Sequence, residues 1–125
     1  SYQQFIDEVQ QRSGLTHRDL AHTTVVATLV VLGERLREVD RRAIADQLPA
    51  ELAEAMNNPG DTTYEIPVAA DLQTFIDRLA HHTTARVKVE QLRAVCQVLA
   101  ETLNEQARTH LRIQPLNRLF AGTLH

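Results

Sequence analysis

The stretch VVATLVVLG (25–33) decides how this chain is read. Rich in valine, it fits a buried strand as well as a buried helix, because a continuous apolar run carries no periodicity of its own. A second segment makes the choice. VVLGERL (30–36) lies over QVLAETL (97–103), with Val31 over Val98, Leu32 over Leu99, Glu34 over Glu101 and Leu36 over Leu103, 67 residues apart. The later copy belongs to VEQLRAVCQVLAETL (89–103), where Leu92, Val95, Leu99 and Leu103 fall at 3-4-4 spacing with Gln91, Arg93, Gln97 and Glu101 between them. That is the pattern of an amphipathic helix, and related segments share an element type. Residues 20–36 are therefore predicted as a helix, and a helix apolar on nearly all sides belongs at the centre of a domain.

The doubling continues on either side. Phe5-Ile6-Asp7 recurs as Phe75-Ile76-Asp77 with Val9 over Leu79, and Leu48-Pro49 has a fainter echo in Gln114-Pro115. Three echoes in one order point to an internal duplication. The halves run 1–57 and 69–125, and the connection over 57–67 opens with Asn57-Asn58-Pro59-Gly60-Asp61, the strongest break in the chain. The predicted fold is all-α: one domain over 1–125, a helical bundle of two pseudo-symmetric repeats of about four helices each, with helices 20–36 and 87–103 facing one another.

The remaining elements follow from local signals. YQQFIDEVQQRSG (2–14) puts Tyr2, Phe5, Ile6 and Val9 on one helical face, with Gly14 as the stop. Thr16, followed three residues later by Asp19, reads as a capping box with Asp in place of Glu. In DRRAIADQL (40–48) Asp40 is the expected N-cap, with Ala43, Ile44 and Leu48 turned inward. Pro49 then suits the first position of a short helix over 49–56, where its missing N–H would be unpaired anyway. The second half restarts with Val68, Leu72, Phe75, Ile76 and Leu79 over 68–82. It continues with the helix 87–103, a short helix over 105–111 and a closing turn over 115–120.

A chain of 125 residues with 43% hydrophobic and 23% charged residues has the composition of one globular domain. The single Cys96 excludes an internal disulfide framework and fits a reducing compartment. A net charge of -3 offers no strong field for a polyanion to follow. The apolar run 25–33 is shorter than the roughly 18 residues of a spanning helix and is not placed like a signal peptide. No membrane partner is expected, and the cytoplasm is the default location.

FIDEVQQRSGL, then ATLVVLGERL, then AIADQLPAEL, with a second copy that begins FIDRL and ends PLNRLF, resembles the bacterial domain-of-unknown-function family DUF2267. The resemblance covers almost the whole chain, and LGERL followed by QLPAEL is its most specific part. It departs at RIQPLNRLF, where Gln114 precedes the proline instead of Leu, and at AHHTTARVKVEQ, which lacks a glycine. The resemblance implies a small helical bacterial protein and carries no catalytic residue over to any position here.

Candidate chemistry is sparse. His17 and His22 are five apart and His81 and His82 adjacent, so neither pair forms the one-face i, i+4 couple of a zinc helix. A metal site would have to be assembled across the halves from His22, His81 or His82 with Asp77, and no metal ligand is assigned. Cys96 falls under Leu29 on an inner helix face, which reads as a buried small hydrophobe rather than a nucleophile. ERLREVDRR (34–42) carries four arginines and three acids, so it reads as solvated helix surface with i, i+3 and i, i+4 ion pairs rather than a basic stripe. Two Tyr, three Phe and no Trp leave few aromatics for base stacking, so nucleic acid is not the expected partner. No glycine-rich phosphate loop, nucleophile elbow or HExxH is present, and the acid pairs Asp7-Glu8 and Glu51/Glu54 fall on exposed helix faces. No catalytic residue and no cofactor is assigned.

The expected function is a non-enzymatic interaction module, with another protein or a second copy as partner. It would dock through a groove between the halves or through NNPGDTTYEIP (57–67), whose Tyr64 and Ile66 are the candidate contact residues. The alternative is a ligand or metal site in the bundle core, for which Thr24, Thr28 and His22 are the inward polar candidates. Threonines four apart on a helix, however, can each bond a preceding carbonyl. DNA binding is the weaker third reading.

Overall fold

The structure, a computed structural model, describes residues 2–57 and 89–110. Those residues form six α-helices and no strand, so the chain is all-α and the valine-rich run is helical. The helices are α1 (Tyr2–Ser13), α2 (Arg18–Arg35), α3 (Glu38–Ala45), α4 (Ala50–Asn57), α5 (Val89–Thr102) and α6 (Glu105–Thr109). The predicted connection 57–67 beyond Asn57, the helix over 68–82 and the closing turn 115–120 lie outside the described residues.

α1 buries Phe5, Ile6 and Val9 as its spacing predicts, and it stops at Gly14, whose φ of 73° lies in the left-handed region that glycine adopts freely. α2 does not start on the expected capping box. His17 occupies the N-cap without a side-chain cap bond, and its carbonyl accepts from the N–H groups of Leu20 and Ala21. Asp19 still sits in the first turn, where a carboxylate favours the helix dipole.

α3 also departs from the expected start. It begins at Glu38 with Arg37 as N-cap, so Asp40 lies in the first turn instead of capping it. The Pro49 carbonyl accepts from the N–H groups of Leu52 and Ala53, which makes Pro49 the residue before α4 and not its first member. Each shift moves a boundary by one to three residues, because the caps depend on chain entry angles and not on residue type alone.

α2 is the central element, packing against α1, α4 and α5. The expected contact between helices 20–36 and 87–103 is present as α2 on α5, although α2 packs more broadly on α4 and α5 more broadly on α1. The core joins Ile6 and Val9 of α1, Val25, Leu29 and Leu32 of α2, and Ile44 of α3. Leu52 and Met56 of α4, with Leu92, Val95 and Leu99 of α5, complete it. α6 is held by Asn104, whose side-chain oxygen accepts from the Ala107 N–H at 2.8 Å, and by the Asn104 N–H donating to Gln47 Oε1 at 2.8 Å.

One contact sets how close α2 and α4 can come. A Cβ at Gly33 would collide with the carbonyl oxygen of Met56 and lie 3.1 Å from its carbonyl carbon, so a side chain there would push the two backbones apart. Gly33 belongs to LGERL of the most specific sequence pattern, and Met56 lies one turn beyond its QLPAEL. Gly33→Ala should gain about 1 kcal/mol of helix propensity and still lower stability, because overpacking costs about 1–3 kcal/mol. Urea unfolding measures the balance. A Gly33→Ala chain more stable than its parent would show that the helices separate freely.

Candidate functional site

The polar side chains of the central helix are used by the fold. Thr24 Oγ1 donates to the Leu20 carbonyl and Thr28 Oγ1 to the Thr24 carbonyl, both at 2.7 Å. Each buried hydroxyl is therefore satisfied one turn back on its own helix, as i, i+4 spacing permits. Cys96 is buried on α5, and burial pushes its thiol up to about 12, which keeps it protonated. Among the described residues no group of three or more His, Cys, Asp and Glu side chains converges as a metal site would require.

The segment 34–42 corrects its sequence reading in one respect. Arg42 does pair with Glu38 at 2.7 Å on the solvent side, as i, i+4 spacing predicts. Asp40, however, is buried at 2% relative exposure. Arg37 Nε lies 2.9 Å from its Oδ2, and His110 Nδ1 lies 2.6 Å from its Oδ1. Burial by itself raises the pKa of this carboxyl, but the hydrogen bonds and charges of His110 and Arg37 outweigh it and hold the group below the usual aspartate value. Asp40 thus ties α3 to the residue that ends α6. Nothing within reach of sequence spacing announces a partner 70 positions away.

The second polar cluster faces outward. His22, Val26 and Val30 recur every four residues along α2, and this stripe is half-buried where the rest of the helix middle is buried. With Tyr2, Glu51, Glu54 and Ala55 it lines a groove of about 400 Å³ bounded by α1, α2 and α4. The Tyr2 hydroxyl lies 3.0 Å from His22 Nδ1, with the two rings edge to face at a centroid separation of 5.7 Å. Burial, reinforced by the charge of Glu51 and opposed by Arg18, raises the Tyr2 pKa, so the phenol keeps its proton and can donate to Nδ1. The other ring nitrogen, Nε2, is buried and has no hydrogen-bond partner. Glu51 and Glu54 are exposed on the rim.

Sequence reading named His22 as a polar candidate and Glu51/Glu54 as exposed acids, but it placed His22 toward the core and did not bring them together. The period-four stripe was the available signal. The expected contact residues Tyr64 and Ile66, and the possible ligands His81, His82 and Asp77, lie outside the described residues. A second hollow of about 390 Å³, lined by Phe5, Gln47, Pro49 and Val98 among others, lies where α1, α5 and the turn between α3 and α4 meet and carries no comparable cluster.

Comparison with known proteins finds the family model described as "Uncharacterized conserved protein (DUF2267)" matching residues 2–114. No curated protein and no solved structure matches the chain. Among the described residues no helix is long and apolar enough to cross a membrane.

Two outcomes follow. The ion pairs of Asp40 stabilise the fold above the ordinary aspartate value of 3.8 and are lost as pH falls through the lower folded value. Asp40→Asn should cost about 1–3 kcal/mol near neutrality, and urea titrations should show the gap from wild type closing in acid. Cys96 should resist a disulfide-exchange reagent at pH 8 in the native chain and react at once after unfolding. Rapid labelling of the folded protein would contradict its burial.

Proposed function

We propose that this chain, which belongs to the DUF2267 family, is a non-enzymatic helical interaction module of the bacterial cytoplasm that docks another protein in the groove of α1, α2 and α4. The observation that carries this reading is the half-exposed stripe His22–Val26–Val30 on the central helix of the domain. Helices that serve only as cores turn such stripes inward, and apolar grooves rimmed by polar groups are where partner helices and peptides seat themselves. The local engagement of Thr24, Thr28, Asp40 and Cys96 favours binding over chemistry, since each of these groups is explained by packing. It also weakens the case for a ligand site in the bundle core, because His22 lines the groove. The connection 57–67, with Tyr64 and Ile66, remains a second docking surface in this proposal.

The test is quantitative capture from the native host's lysate with the intact chain as bait. Substituting Val26→Ser and Val30→Ser together should cut enrichment of a specific partner about tenfold while leaving helicity unchanged, as expected when two anchor side chains are truncated. A partner retained by that variant and lost on Tyr64→Ser with Ile66→Ser would move the interface to the connection. Equal enrichment by all three chains would remove the docking reading.

A further inference from the structure

Resting on that docking reading, we propose that the groove is specific for a positively charged peptide segment, one that sets apolar side chains on Val26, Val30 and Ala55 and an arginine or lysine against Glu51 and Glu54. The argument begins with the rim. Glu51 and Glu54 are three apart on α4, which puts them on one helix face, and both are exposed. Several other surface acids have cations: Glu8 and Glu101 share Arg12, Asp7 has Arg18, and Glu38 has Arg42. No cation among the described residues pairs with Glu51 or Glu54. The groove therefore presents uncompensated negative charge beside an apolar floor.

The floor ends at His22, which lines the groove and whose Nδ1 is engaged by Tyr2. Two features thus converge on a single ligand chemistry: apolar side chains on the floor and a cation at the rim. The volume of about 400 Å³ suits a few side chains of a peptide.

The same features disfavour other occupants. A nucleic acid or an anionic lipid surface would bring phosphates against the carboxylates. A second copy docking through the same face would set acid rim against acid rim, and like charges across an interface are unfavourable.

The experiment is selection of a phage-displayed library of random 12-residue peptides on the full chain. Selected sequences should be enriched in Arg or Lys next to a pair of apolar residues. They should bind about tenfold more weakly to the Glu51→Gln, Glu54→Gln chain, with the difference shrinking at high salt. Both positions are exposed, so the variant should keep its fold, which circular dichroism checks. Titration of a selected peptide should shift the His22 imidazole nitrogen signals.

A neutral consensus that still shifts His22 would overturn the charge specificity and leave the docking reading standing. No selected peptide that perturbs His22 would overturn both. Dimerisation of the chain that competes with the peptides would make a second copy the occupant and overturn the proposal.

Discussion

The backbone crossing of α2 and α4 at Gly33 and Met56 is the constraint on which the rest of this bundle depends. Because no side chain stands between them, α4 lies close enough to α2 for Leu52 and Met56 to join Leu29 and Leu32 in one core. A glycine inside a helix, here in the last turn of α2, weakens that helix on its own, so its presence is explained by tertiary packing and not by local preference. The placement of α4 then positions Glu51, Glu54 and Ala55 against the outer stripe of α2. The groove is a consequence of the crossing.

Around this core the polar groups divide into two kinds. Thr24, Thr28 and Thr102 return their hydroxyls to carbonyls four residues earlier, so they are silent members of helix walls. Asp40 differs: it is a buried charge, tolerable because the Arg37 guanidinium and the His110 imidazole, from two elements, both meet it. Its pairing ties the short α6 to α3. Arg12 plays a similar, more exposed part by reaching from α1 to Glu101 on α5.

The functional reading follows from what this arrangement leaves unsatisfied. An apolar stripe and two carboxylates without cations occupy one face, whereas Cys96 is buried and Asp40 is paired. Binding needs such unsatisfied surface, and catalysis needs a group whose ionisation is tuned and accessible.

Much of the helical architecture was legible in the residues themselves. The inward faces of α1 and α5, the stop at Gly14, the burial of Cys96 and the back-bonding of the threonines all rest on the 3.6-residue period and on side chains that reach no further than four positions. The same period resolved VVATLVVLG as helix through its echo in 97–103. The capping box at Thr16 and the N-cap at Asp40 were misread because a capping residue competes with neighbours that only the three-dimensional path supplies.

Local order could not announce the burial of Asp40 against His110, the methyl-free crossing at Gly33, or the meeting of Tyr2, His22 and Glu51 in one groove. Each joins residues 20 to 70 positions apart, and the distance between such residues is set by how helices pack, a property of the assembled bundle alone.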